Sequence, residues 1–278
     1  MYQHILVITD QDNFATLSLD KANIVAQQFG ATVEVISIID ASKSNIDVAA
    51  HTQALNDKVQ DRFDDSITVH THVADTDNMC RWINQYCEHH PIDLVIKTGH
   101  RTEKLFYTPS DWQLMRELTC SVLILSDEKW RAKRRLLATV DANKPNAQQS
   151  AMNQKVLQQT KAWADSEDFD MHCAYVQPLP TVKIELDIVE QEQYEREHGQ
   201  QALASLEQLL TDLHFESSEN HIGFGAPHKR IPSIANKIKA DLVVVGSLGR
   251  KGVSAVVIGN TAEKILHHLR TDILVVKP

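Results

Sequence analysis

Short, mainly apolar runs rich in β-branched residues recur along the chain, separated by longer stretches with helical periodicity. In the first half the runs are Ile5–Thr9, Thr32–Ile38, Ile67–Val73, Asp93–Lys97 and Val122–Leu125. In the second they are Leu136–Val140, Asp170–Val176, His221–Phe224, Asp241–Val245 and Ile273–Val276. Such runs, spaced by helical segments, predict buried strands in parallel α/β units. Phe14–Phe29 sets Leu17, Ala22, Val25, Ala26 and Phe29 at helical spacing, and Gly30 supplies its stop. Ile188–Leu213 carries a charged stretch (Glu190, Glu192, Glu195, Arg196, Glu197) ahead of Leu203, Leu206, Leu209, Leu210 and Leu213. It reads as an amphipathic helix that packs its apolar stripe on a sheet, and its acidic charge argues against an anionic membrane.

The two halves align by residue type. Ile5-Leu-Val-Ile-Thr-Asp10 matches Leu136-Leu-Ala-Thr-Val-Asp141, Asp93-Leu-Val-Ile-Lys97 matches Asp241-Leu-Val-Val-Val245, and Cys120-Ser-Val-Leu-Ile-Leu125 matches Thr271-Asp-Ile-Leu-Val-Val276. The offsets grow from 131 to 148 to 151 residues, which describes one domain duplicated with small loop insertions rather than a short repeat. The expected domains are 1–128 and 134–278, each a doubly wound, five-stranded parallel sheet of Rossmann-like α/β class. The last run of each half is apolar on both faces and would expose a hydrophobic edge, so the halves are expected to pack along these edges as an intrachain pseudo-dimer.

The length of 278 residues fits two cores of about 135 residues each. Hydrophobic residues make up 42% of the chain and charged residues 23%, which suits compact globular domains and leaves no segment with the composition of a disordered tail. The start, Met1–Asp10, has neither the basic flank nor the apolar length of a signal peptide or membrane span. Cys80, Cys87, Cys120 and Cys173 show no CxxC spacing, so reduced thiols and a cytoplasmic location are expected, with Cys80 and Cys87 on one helix face. A net charge of −9 disfavours nucleic-acid partners. The dense basic run, Lys129–Arg135, falls between the halves and reads as a solvated linker. Fourteen histidines, including His70 and His72 on one strand face and the pairs His89-His90 and His267-His268, lack metal-ligand spacing with Cys or Glu. They are expected at the surface, with no metal site.

Candidate chemistry concentrates in Gly246-Ser-Leu-Gly249-Arg-Lys-Gly-Val-Ser-Ala-Val-Val-Ile-Gly259-Asn-Thr-Ala-Glu263. This segment follows a strand and runs into the helical stretch Ala262–Leu269. Free main-chain N–H groups at a helix N-terminus, close-approach glycines and the charges of Arg250 and Lys251 together describe an anion site. On a doubly wound sheet such sites lie at the carboxyl ends of strands, where Asp141 and Val176 also fall. No G-x-S-x-G elbow, lysine-bearing Walker loop or H-E-x-x-H is present, so no catalytic machinery is expected.

Gly246-x2-Gly249-x9-Gly259 resembles the phosphate-loop pattern of the ATP-binding branch of the universal stress protein superfamily, and the resemblance extends over both halves in the manner of its tandem two-domain type. The resemblance implies an adenine nucleotide alpha hydrolase-like fold and a cytoplasmic stress-response protein that binds ATP, with Mg2+, in its C-terminal half as a nucleotide-responsive regulatory module. Carried over by position, Gly246, Gly249, Gly259, Asn260 and Thr261 hold phosphate, with Arg250 beside them, and Asp141 and Val176 meet the nucleoside. Asn260 stands where that pattern carries Ser or Thr; its amide still donates a hydrogen bond. The first half departs further: Thr98, Arg101 and Thr108 replace the three glycines, and Thr108-Pro109 reads as a helix cap and first-turn proline. That half is not expected to bind ATP. Two alternatives stand beside this reading: a weak ATPase, and, from the degenerate first half together with the apolar stretch Leu179–Ile188, a pocket for an apolar or lipid-like ligand or a protein partner with nucleotide binding lost.

Overall fold

The computed structural model describes residues 2–9, 16–40, 42, 46–99, 109–143, 146–164, 169–179, 190–248, 269 and 271–278. The chain divides into two compact units, Met1–Lys129 and Trp130–Pro278. In the first, β1 (His4–Thr9), β2 (Thr32–Ile39), β3 (Val69–Asp75), β4 (Leu94–Thr98) and β5 (Ser121–Leu125) pair in parallel in the order β3-β2-β1-β4-β5. Four helices are described there, α1 (Thr16–Phe29), α2 (Val48–Gln60), α3 (Met79–His89) and α4 (Pro109–Glu117). In the second unit, β6 (Arg134–Val140), β7 (Phe169–Gln177), β8 (Glu219–Phe224), β9 (Leu242–Gly246) and β10 (Asp272–Val276) follow the order β10-β9-β6-β7-β8, also all parallel. Its described helices are α5 (Ala147–Trp163), α6 (Gln191–Asp212) and α7 (Pro227–Ile238).

Read from each unit's own first strand the two orders are the same, so each unit is a doubly wound sheet whose direction of growth reverses beside that strand. Strands β4, β5, β9 and β10 are buried along almost their whole length, as their mainly apolar runs require. The duplication reaches single hydrogen bonds. The Asp93 N–H donates to the His4 carbonyl at 3.0 Å, and the Asp93 carboxylate accepts from the His4 N–H at 3.0 Å. In the second unit Asp241 does the same to Arg135, at 2.8 and 2.9 Å.

Local signals shape the helices. Gly30 adopts φ +61°, and the bonds Ala31 N–H to Ala26 carbonyl and Gly30 N–H to Gln27 carbonyl close α1 in a Schellman motif, as its glycine predicts. The Asn146 side chain accepts from the Gln149 N–H at 2.9 Å and caps α5. Along α6 the buried residues Ala202, Leu206 and Leu210 recur every four positions, while Leu203 and Leu209 of the expected stripe, and Leu213 at the helix end, are half-buried. Among the described residues no helix is long and apolar enough to cross a membrane.

The basic run departs from its expected role as a solvated linker. Arg131 pairs with Asp241 at 3.2 Å, Lys133 with Asp170 at 2.9 Å, and the Trp130 indole donates to Asp272 at 2.7 Å. Arg134 lies over the rings of Trp130 and Phe169, at 5.1 and 5.0 Å. The run is therefore bound along the edge of its own unit by acids far away in sequence.

The cysteines form no disulfide. Burial pushes the Cys173 thiol up to about 12 and Cys80 to about 11; a hydrogen bond with the Cys120 thiol, and then burial, raise Cys87 as well. Thiolate is the reactive form. In the native protein at pH 8, iodoacetamide should therefore leave Cys80 and Cys173 unmodified and alkylate them only after denaturation. Peptide mass mapping that finds Cys173 labelled in the folded state would contradict this burial.

Candidate functional site

The carboxyl ends of β6 and β9 meet at the reversal point of the second sheet, and α5 positions both. Asn153, 1% exposed on the apolar face of α5, binds both main-chain groups of Asp141: its Oδ1 accepts from the Asp141 N–H at 3.1 Å, and its Nδ2 donates to the Asp141 carbonyl at 2.8 Å. One Asp141 carboxylate oxygen accepts from the Asn143 N–H at 3.0 Å, an Asx turn that leaves the residue exposed just past β6. Nearby, burial pushes the Tyr175 phenol up to about 12, with the Asp141 charge as a further cause.

The preceding residue of α5, Met152, packs on β9. A methyl group built on Gly246 would lie 2.5 Å from Met152 Cγ, 2.7 Å from its sulfur and 3.2 Å from Val156 Cγ2. Gly246 is thus small because helix α5 occupies the space of a side chain, a requirement of helix–sheet packing. The next residue, Ser247, donates its N–H to the Val276 carbonyl at 3.0 Å. Its hydroxyl is buried, at 1% residue exposure, with no partner among the described residues.

Of the residues singled out from sequence, Asp141 and Gly246 lie at neighbouring strand ends. Val176 is buried one position before the end of β7, where its Cγ2 would contact a methyl on Gly223 at 3.3 Å, so it presents no free side chain. Gly249, Arg250, Lys251, Gly259, Asn260 and Thr261 lie outside the described residues, as do most of the apolar stretch Leu179–Ile188, Arg101 and Thr108. Sequence reasoning missed Met152, Asn153 and Ser247. The signal for Asn153 was a lone amide on the helix face that also carries Val156, Leu157 and Thr160.

The first unit fills the corresponding position differently. Helix α4 begins at Pro109, and Asp111 in its first turn pairs with Lys97 at 2.7 Å, with side-chain exposures of 9% and 4%. The Lys97 ammonium also donates to the Thr98 carbonyl at 2.9 Å. A methyl on Gly99, which follows β4 as Ser247 follows β9, would lie 2.9 Å from Ile124 Cγ2 and 3.9 Å from the Asp111 carboxylate. The end of β4 is therefore capped by an internal carboxylate held at a helix N-terminus, an arrangement the helix dipole favours.

Two histidines expected at the surface are drawn inward elsewhere in the second unit. His172 Nδ1 lies 3.0 Å from His221 Nε2, and burial lowers the pKa of both rings.

Comparison with known proteins places these observations. The chain is 26% identical to a universal stress protein E homolog of Haemophilus influenzae, covering 100% of this chain and 98% of that one. It is 31% identical to universal stress protein E of Escherichia coli K12 over 67% of this chain and 61% of that one. Among solved structures, a Pseudomonas aeruginosa UCBPP-PA14 protein matches with a TM-score of 0.80 and 25% identity, covering 100% and 94% of the two chains. A universal stress protein from Archaeoglobus fulgidus DSM 4304 matches with a TM-score of 0.63 and 16% identity over 99% and 96%, a likeness of fold. The universal stress protein family matches residues 1–126 and again 134–277, and with two such domains in tandem this chain belongs to that family.

Proposed function

We propose that the C-terminal unit binds an adenine nucleotide, ATP with its Mg2+, and that the chain acts in the stress response as a nucleotide-responsive binding or regulatory module. The observation that carries this reading is the convergence of Asp141 and Gly246-Ser247 at the reversal point between β6 and β9, where doubly wound sheets take their ligands. The sequence that continues from Gly246 carries Gly249, Arg250, Gly259, Asn260 and Thr261, the residue types that hold a polyphosphate through main-chain amides and positive charge. The proposed role for Gly246 is to let α5 close on the strand, so the phosphate contacts fall to the residues after it. Asp141 faces solvent and is fixed by Asn153, which suits a group that receives the nucleoside. In this reading the N-terminal unit binds no nucleotide, because the Asp111 carboxylate already stands at its strand end.

The test is thermal unfolding of the full chain with and without MgATP. A ligand that binds only the folded state adds about 2.7 kcal/mol at a hundred times its dissociation constant, so a clear rise in Tm is expected. Gly259→Val should abolish the rise, since its branched side chain would stand against the phosphates. An unchanged Tm together with a flat calorimetric titration would overturn the proposal. ADP release measured on the same samples separates a binding module from a weak ATPase. The native mass spectrum reports a co-purified apolar ligand.

A further inference from the structure

Strand β8 is the edge strand of the second unit, and its register on β7 brings three metal-ligating side chains together. His172 pairs with Glu219 and Ala174 with His221, so by the alternation of strand side chains His172, Glu219 and His221 stand on one face of the sheet. His172 Nδ1 lies 3.0 Å from His221 Nε2 and 3.9 Å from Glu219 Oε2, and one ligand atom from each residue fits within 4.8 Å of the others. The rings stack at 5.2 Å and 28°. We propose that His172, His221 and Glu219 form a binding site for a divalent ion of the zinc class, which pins the edge strand to its neighbour.

The geometry suits the ion. Zinc bonds of about 2.0–2.2 Å in a tetrahedron place ligand atoms roughly 3.3–3.6 Å apart, and the observed 3.0 and 3.9 Å separations bracket that value. Small rotations of the side chains would reach it. Both imidazoles are held in place, each with a side-chain exposure of 10%. Glu219, at 63%, lies open on the edge strand, so it can swing onto an entering ion. A water completes the fourth position.

Two nitrogens and one oxygen favour zinc, copper, nickel or cobalt over magnesium or calcium, which take oxygen ligands. The carboxylate offsets half of the ion's charge, and Asp170 adds a second negative charge near His172. The positive charges of Arg135 on β6, near His172, and Lys237 on α7, near His221, oppose it. In the metal-free protein the same nitrogens share one N–H···N hydrogen bond, which the ion would replace.

The full chain, stripped with EDTA and desalted, should take up one equivalent of Zn2+ in competition with a chromophoric chelator. Co2+ should give the intense visible absorption of a tetrahedral site. Loss of outer-sphere partners alone lowers metal affinity about 10–100-fold, so His221→Gln, which removes a ligand, should lower it by about 100-fold or more. Glu219→Gln, a change on an exposed side chain that leaves folding intact, should lower it by about tenfold or more. His89→Gln, in the first unit, should leave the affinity unchanged. Failure of the chain to take up Zn2+ would overturn the proposal. So would an affinity that is the same in wild type, Glu219→Gln and His221→Gln, the result of ions held by scattered surface histidines.

Discussion

Replacing Asp111 with Ala should cost the N-terminal unit about 3–5 kcal/mol, the penalty for stranding one partner of a buried ion pair. Lys97 sits in β4 with 4% of its side chain exposed, and Asp111 is the carboxylate 2.7 Å from its ammonium. With Asp111 gone, the ammonium loses the carboxylate at 2.7 Å, and the neutral Thr98 carbonyl at 2.9 Å is a weaker partner for a buried charge. Urea denaturation of the full chain should then resolve an early transition for the first unit. The double variant Lys97→Met, Asp111→Leu should return most of the loss, because apolar residues of similar volume satisfy the same space without a charge. Sulfate should raise the midpoint of Asp111→Ala more than that of the wild type, since the α4 N-terminus and Lys97 still attract an anion. A loss below about 1 kcal/mol, or a double variant no better than the single one, would show that the pair does not hold this strand end.

That ion pair also marks how far the sequence was readable. Lys97 stands out as the one charged residue in β4, aligned with Val245 in the second copy, but nothing local reveals its partner. Asp111 comes 14 residues later in the chain. The strands were legible because buried parallel strands are apolar on both faces, and right-handed crossovers implied helices on both faces of each sheet. Gly30 was legible because a left-handed residue at a helix end favours glycine.

What local pattern could not supply was long-range pairing. The run Lys129–Arg135 looks like a solvated linker until Asp241 and Asp272, 110 and 142 residues from their partners in it, are placed beside it. His172 and His221 are 49 residues apart, and only the register of β7 on β8 makes them neighbours. At α7 the stop is Lys239 at φ +53°, where the sequence has no glycine to announce it. At the candidate site the strand ends were foreseen, but Met152 as the neighbour of Gly246 in space was not.

Gly246→Val tests that last point, and about 2–3 kcal/mol of stability should be lost from the C-terminal unit. The added β-carbon would stand 2.5 Å from Met152 Cγ and 3.2 Å from Val156 Cγ2, so both side chains would have to shift within a close-packed core. Met152→Ala alone should cost about 2–5 kcal/mol as a cavity. In the double variant the valine methyls occupy the space that Met152 vacates, so the combined loss should fall short of the sum by at least about 1 kcal/mol. Strict additivity in urea midpoints would mean that helix α5 does not set the size of residue 246. The same pair of variants bears on nucleotide binding, because adjacent residues of α5 hold both walls of the crevice, Asn153 through Asp141 and Met152 through Gly246. If Gly246 serves packing, the MgATP-dependent rise in Tm should be reduced in Gly246→Val and return in the double variant. A rise lost in both would instead assign the glycine to direct contact with phosphate.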